Sequence, residues 1–350
     1  NGGQIMVKTI ALFNNKGGVS KTTTTFHLGW KLAELGYRTL TVDTDPQCNL
    51  TGLCLNADKE NKLIKFYEAS ASSCSNIKDA LSPIFDAKLE PLKAAYCYNF
   101  EENRNLYLLP GHISFSEYDA TYNIAENLTG SLQMFQNVPG ALRNLLQLTA
   151  QEYNLDYILI DMSPSISATN ANILMESDYF ILPCAPDYFC YMAIESLCNV
   201  FPKWNTTYTI LKQHNTFKNA AYKMKDTPPK FIGTIQQRYR PRNGSPAKAF
   251  SEWIDDINEL VINKLVPVLE QCNMIVNGIK DCFETPYNLI NISDFNSLIA
   301  QSQVNNTPVF LLTKEQVQKT GTVWENMKKN RDTFNETFTQ LAERVINLTK

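Results

Sequence analysis

Residues 14–25 read Asn-Asn-Lys-Gly-Gly-Val-Ser-Lys-Thr-Thr-Thr-Thr, between an apolar run from Met6 to Phe13 and a helix-like pattern. Few folds accommodate that order. A buried strand, a glycine-bearing turn and a helix N-terminus together make a phosphate cradle, because backbone N–H groups converge there and the helix dipole favours negative charge. Gly17 and Gly18 supply backbone conformations that other residues avoid. Lys21 is placed to reach the β- and γ-phosphates, and the Thr22 hydroxyl to ligate Mg²⁺. Beyond the turn, Phe26, Trp30 and Ala33 recur at helical spacing, as do Leu28, Leu32 and Leu35, with Gly36 as a C-terminal cap. A helix apolar on two sides suits the face of a parallel sheet.

Two further strand-like runs end in carboxylates. Arg38-Thr-Leu-Thr-Val-Asp43-Thr-Asp45-Pro-Gln47 ends in a pair, and Tyr157-Ile-Leu-Ile-Asp161 ends in one. On its own the Asp43/Asp45 pair reads as a solvated turn; beside a phosphate cradle it reads as part of one site. Open α/β sheets bind ligands at the carboxyl edge, where such strands deliver their last side chains. The remaining pattern predicts strands near 105–109, 179–183, 230–236, 286–290 and 308–312. Helices are expected over 21–35, 141–153, 168–176, 190–201, 247–272 and 322–348, with one more near 75–86. This alternation implies an α/β fold with a doubly wound, mostly parallel sheet flanked by helices. Residues 6–350 read as a single domain with insertions near 50–104 and 202–229, the second an exposed excursion. Asn1–Ile5, ahead of Met6, read as an expression remnant.

The strict phosphate-loop pattern wants glycine at positions 15 and 20, and this chain has Asn15 and Ser20. What matches instead is Lys-Gly-Gly-x-x-Lys-Thr, which resembles the deviant Walker A loop of the ParA/MinD family of ATPases, usually Lys-Gly-Gly-Val-Gly-Lys-Thr. Asp43-Thr-Asp45-Pro-Gln-Cys48-Asn resembles that family's Val-Asp-x-Asp-Pro-Gln-Gly-Asn segment, with Cys48 in place of glycine. Asp161-Met-Ser-Pro-Ser resembles its Walker B segment, and Asp178 to Phe189 resembles its Asp-x-x-Ile-x-Pro-x-x-Pro-Glu-x-Phe segment. The likeness covers about residues 6–200 with good motif density and continues more weakly from 230.

That resemblance implies an ATPase that binds ATP with Mg²⁺. It implies a nucleotide shell of Lys16, Gly17, Gly18, Val19, Ser20, Lys21, Thr22 and Thr23. Thr22, Asp43 and Asp161 serve the metal, and Lys21 and Asp45 serve catalysis, Asp45 by positioning the attacking water. Lys16 is the family's signature lysine, which reaches the partner's ATP across a dimer. The expected behaviour is therefore an ATP-dependent homodimer that hydrolysis releases. Such a switch partitions or positions DNA or other cargo, with a ParB-like activating protein encoded nearby. A regulatory ATPase in a multi-protein system such as anti-phage defence is the alternative.

Composition narrows the partners. The net charge is −3, so there is no overall basic footprint. Arg238, Arg240, Arg242 and Lys248, interleaved with Tyr239, form the candidate DNA contact, and Lys328, Lys329 and Arg331 form a second basic cluster. Nine cysteines with no Cys-x-x-Cys pair read as free thiols in a reducing cytoplasm. Cys48, Cys184 and Cys190 lack iron–sulfur spacing, and His27, His112 and His214 are too scattered for a metal site. The stripe Phe334, Phe338, Leu341, Val345, Leu348 lacks the basic bias of a membrane-binding helix and is expected to pack on the sheet.

Overall fold

A computed structural model describes residues 7–55, 62–69, 74–127, 133–239, 241–242, 245–246 and 248–350. The expected remnant at 1–5 lies outside these. Strand β1 (Lys8–Leu12) feeds the loop and helix α1 (Lys21–Glu34). Then come β2 (Thr39–Asp43), α2 (Asn49–Leu55), α3 (Lys62–Ala69), α4 (Ile77–Phe85), β3 (Tyr98–Asn99), β4 (Leu106–Leu109), α5 (Tyr118–Asn127) and α6 (Val138–Tyr153). The order continues with β5 (Tyr157–Asp161), α7 (Ala168–Met175), β6 (Tyr179–Cys184), α8 (Tyr188–Gln213) and β7 (Lys230–Tyr239). A two-stranded ribbon, β8 (Pro241–Arg242) with β9 (Ser245–Pro246), precedes α9 (Lys248–Leu260), β10 (Asn288–Ser293), α10 (Ser297–Asn305) and α11 (Gly321–Leu348).

Among the described residues, eight strands form one sheet in the order β10-β7-β6-β1-β5-β2-β4-β3. Every pairing is parallel except that of β3 with β4. This is the doubly wound, mostly parallel architecture expected. β2 and β5 are buried along their whole length, because helices cover both faces of a parallel sheet. Their ends stand level: Leu12 pairs with Asp161 on one side of β5, and Asp43 pairs with Asp161 on the other.

The first part of the insertion expected near 202–229 is helical and anchored to the core. α8 runs through Pro202 to Gln213, beyond the 190–201 expected. Its buried face continues as Ile194, Leu197, Phe201, Tyr208 and Leu211. The Tyr208 hydroxyl accepts from Asn172 Nδ2 at 2.9 Å and donates to Glu126 at 3.2 Å, which fastens the extension to α5 and α7. The expected strand at 308–312 is a 3₁₀ turn, Val309–Leu311. Apolar burial alone produced that expectation; the backbone is satisfied elsewhere.

His27, buried mid-α1, is where it is satisfied. The Val309 N–H donates to His27 Nε2 at 3.0 Å, and the His27 Nδ1 faces the Thr23 carbonyl at 2.7 Å. An amide can only donate and a carbonyl only accept, so the ring is neutral with its proton on Nδ1. Its ring lies nearly parallel to those of Phe295 and Phe338, with centroids 5.3 and 5.1 Å away. The α11 stripe of Phe334, Phe338, Leu341 and Val345 is buried against α1 and β10, as its pattern predicted.

Burial drops the His27 pKa to about 4 from 6.5. Protonation would aim an Nε2–H at the Val309 N–H. Because the folded value is depressed, this residue's contribution is intact above pH 6.5 and is lost as pH falls toward 4. Chemical denaturation of wild type and His27→Gln at pH 7.5 and pH 5 isolates it. Wild type is expected to lose about 2 kcal/mol more than the variant over that interval. Parallel pH profiles would contradict the assignment.

Candidate nucleotide site

The loop leaves the middle of the sheet, and Asn14 fixes its departure. Its fully buried side chain donates from Nδ2 to the Pro183 carbonyl at 2.9 Å, and its Oδ1 accepts from the Lys16 N–H at 2.9 Å. One amide thus ties the loop to the end of β6. Gly17 and Gly18 are exposed at the tip, with Gly18 at φ 74°. Val19 is buried beneath them. α1 then starts from Ser20 with no side-chain cap and no acid in its first turn, which leaves its N–H groups and dipole facing the loop.

The two departures from the family's usual glycines, Ser20 and Cys48, lie in the left-handed region. Ser20 has φ 60° and Cys48 has φ 53°. The chain keeps the backbone that glycine adopts freely, at a strain of about 1 kcal/mol per residue. Two bonds to the Ser20 carbonyl hold it there, from the Thr24 N–H and the Thr24 hydroxyl, each at 2.9 Å. Thr24 in turn accepts from Gln237 Nε2 at 2.6 Å, at the end of β7.

Lys21 lies inside its own loop, donating to the Asn14 and Lys16 carbonyls, each at 3.1 Å. Burial lowers its pKa, and the charges of Asp161 and Asp45 oppose that shift. Beside it, the Thr22 hydroxyl donates to Asp161 Oδ2 at 2.7 Å. Thr23 follows, half-buried, its carbonyl committed to His27. Burial first, and then the neighbouring Asp43 charge, pushes the Asp161 carboxyl well above its ordinary range.

Asp43 is raised by burial to about 6, although three donors resist: the Thr51 N–H at 2.8 Å, the Thr51 hydroxyl at 2.7 Å and the Asp45 N–H at 3.2 Å. On its other side the chain just past β4 closes in, since a Cβ at Gly111 would stand 3.0 Å from Asp43 Cγ. Asp45 accepts from the Gln47 N–H at 2.9 Å. Asp161 Oδ1 is buried and has no partner among the described residues. A hydroxyl and two carboxylates, one of them with an unsatisfied oxygen, are a hard-oxygen donor set, which fits Mg²⁺ held together with phosphate. Two glycines without side chains and an uncapped helix fit the phosphates.

Lys16 sits at the rim, its Nζ 2.8 Å from Asp187 Oδ2. Asp187 Oδ1 accepts from the Cys190 N–H at 2.9 Å and so caps α8. Asn14, Thr51, Asp187 and Gln237 are site residues that motif reading passed over. Only Asp187 carried a local signal, an acid ahead of a helical pattern; the others act across the fold.

The expected DNA contact is not assembled in the same way. Arg240 lies outside the described residues, as do the side chains of Arg238 and Arg242. Lys248 is exposed, 3.8 Å from Glu252. Cys184 and Cys190 are buried, and the described residues include no cluster of His, Cys, Asp or Glu that could hold a metal by itself.

A phosphate cradle at the carboxyl edge of a parallel sheet, flanked by two strand-end carboxylates, defines a P-loop nucleotide-binding protein. The model of the AAA domain family AAA_31 matches residues 7–214, and the chain belongs to that family, within the ParA/MinD type of ATPase. An uncharacterized protein of Methanocaldococcus jannaschii is 30% identical over 232 residues, 66% of this chain and 80% of that one. The sporulation initiation inhibitor protein Soj of Bacillus subtilis is 29% identical over 195 residues, 55% of this chain and 64% of Soj. A solved structure of pNOB8 ParA bound to nonspecific DNA superimposes with a TM-score of 0.56 at 20% identity, covering 98% of each chain. At that identity the likeness is one of fold.

Ser20→Gly is expected to stabilise the protein by about 0.5 kcal/mol, the relief of left-handed strain less the entropy that glycine brings. Urea denaturation measures it. A destabilised variant would mean that the serine side chain contributes to the loop.

Proposed function

We propose that the chain binds ATP with Mg²⁺ at this site, hydrolyses it, and uses it to switch between monomer and homodimer. The observation that carries the reading is the level placement of Asp43 and Asp161, with Thr22 2.7 Å from Asp161 and Lys21 inside the loop. Mg²⁺ supplies charge neutralisation at the β/γ-phosphate oxygens, and Thr22, Asp43 and Asp161 would hold it. The loop from Lys16 to Thr23 wraps the phosphates. Lys21 exchanges its carbonyl partners for phosphate oxygens. Asp45 orients the attacking water. Phosphoryl transfer asks little more of a protein than positioning and charge.

The dimer reading draws on the surface around the loop. Ile113, Ile166, Phe189 and Met192 follow β4, β5 and β6 on the same edge and are 74%, 50%, 70% and 42% exposed. A second copy that covers this edge would bury them. Lys16 is then the residue that crosses over. Its home pair with Asp187 is partly exposed, so it is worth under about 1 kcal/mol and can bias the exchange but not block it. The cargo reading is DNA, contacted through Arg238, Arg240, Arg242 and Lys248; the fold neighbour whose structure is bound to nonspecific DNA supports it.

Sedimentation with ATP and Mg²⁺, paired with nucleotide binding, tests the switch. Lys21→Ala is expected to lose ATP. Lys16→Ala is expected to bind ATP normally and stay monomeric. Asp187→Asn keeps an amide oxygen for the α8 cap while releasing Lys16, and is expected to dimerise at a severalfold lower protein concentration. Asp45→Ala is expected to bind ATP with turnover reduced about a hundredfold or more. Unchanged dimerisation of Lys16→Ala would sink the switch.

A further inference from the structure

At the edge of the sheet opposite the loop, a cavity of about 540 Å³ opens by the amino ends of β1 and β6. α6 gives it an apolar wall of Leu142 and Leu146, and Ile160 and Ile173 continue that wall from β5 and α7. Among its charged lining residues, Glu176 and Arg143 keep unused capacity. Glu176, 5% exposed, accepts at Oε2 from the Lys225 N–H at 2.8 Å, and its Oε1 has no partner among the described residues. Burial pushes its carboxyl up to about 7, against the Lys225 N–H and the charge of Arg143. Arg143 takes no ion pair among the described residues, and its hydrogen-bonding neighbour is the uncharged Gln147 amide. Lys225 and Asp178, which also line the cavity, are committed. Lys225 Nζ donates to the Thr227 carbonyl and hydroxyl, each at 2.8 Å, and Asp178 Oδ2 accepts from the Thr9 N–H at 3.0 Å.

An acid and a cation with capacity to spare, set against an apolar wall, discriminate among occupants. A bare cation would answer Glu176 and face Arg143. A bare anion would do the reverse. A ligand that carries both charges side by side satisfies both, with an ammonium on the carboxylate and a carboxylate in the guanidinium fork. Arg143 is close enough for its charge to act on Glu176, which suits the short ammonium-to-carboxylate span of an α-amino acid. The wall of Leu142, Leu146, Ile160 and Ile173 would then bury an apolar side chain, and the volume is that of a small-molecule site. We propose that this cavity binds a free α-amino acid with an apolar side chain, its ammonium on Glu176 and its carboxylate on Arg143. The site lies a strand's length from the nucleotide edge, and binding there does not depend on the ATP reading.

L-Phenylalanine, titrated by calorimetry without nucleotide, is the probe, and saturable binding is expected. Hydrocinnamate, which lacks the ammonium, and phenethylamine, which lacks the carboxylate, are each expected to bind about tenfold more weakly. Glu176→Gln keeps an amide oxygen for the Lys225 N–H, and Arg143→Gln changes a half-buried position. Each is expected to weaken L-phenylalanine about tenfold. Glu176→Gln should not weaken hydrocinnamate, and Arg143→Gln should not weaken phenethylamine, a split that a merely misfolded variant would not give. Lys21→Ala should bind L-phenylalanine as wild type does, which separates failure of this site from failure of the ATP site. Absence of saturable binding at millimolar L-phenylalanine would overturn the proposal. So would either one-charge analogue binding as tightly as the amino acid, or an equal loss in Lys21→Ala, which would place the ligand in the nucleotide loop.

Discussion

Two acids that end neighbouring buried strands at one level dominate this molecule. Asp43 and Asp161 are register partners in β2 and β5, and burial is the largest cause that raises each. Unit charges a few ångströms apart repel by about 4 kcal/mol at the effective dielectric of protein sites. The neighbourhood is arranged to offset that cost. Thr51 spends both its donors on Asp43, Thr22 gives its hydroxyl to Asp161, and Lys21 lies in a loop anchored one strand away. The offset stops short of completion at Asp161 Oδ1. That leaves a residual demand for positive charge beside a loop of phosphate-binding shape.

Much of this was legible from the chain. Parallel strands buried on both faces are rich in apolar residues, so β1, β2, β4, β5 and β6 stood out, with acids ending β2 and β5. The loop was readable although two of its expected glycines are missing, because lysine and threonine spacing survived. What stayed hidden depends on contacts between distant residues. Nothing near Pro202 announces that Asn172 and Glu126 hold the helix beyond it. Nothing near Val309 shows that its N–H is taken by a histidine 282 residues earlier. The apolar letters there were read correctly as buried and wrongly as a strand, since burial does not specify who receives the backbone hydrogen bond.

His27 shows how the site is tied to the far side of the sheet. α1 presents Lys21 and Thr22 at one end, His27 one to two turns along, and Lys31 bonded to Asn335 on α11. A helix gripped at each of those points moves as a unit or not at all. The phosphate end of α1 is therefore mechanically continuous with the aromatic cluster of Phe295, Phe310, Phe334 and Phe338.

Asp187 divides its labour by oxygen: Oδ1 caps α8 and Oδ2 holds Lys16. When the lysine lets go, the helix start remains bonded. Release is then a matter of side-chain rotation, on the picosecond-to-nanosecond scale, and needs none of the microsecond-or-slower local unfolding that a shared bond would demand. The rim of the site can be rearranged many times without the fold beneath it taking part.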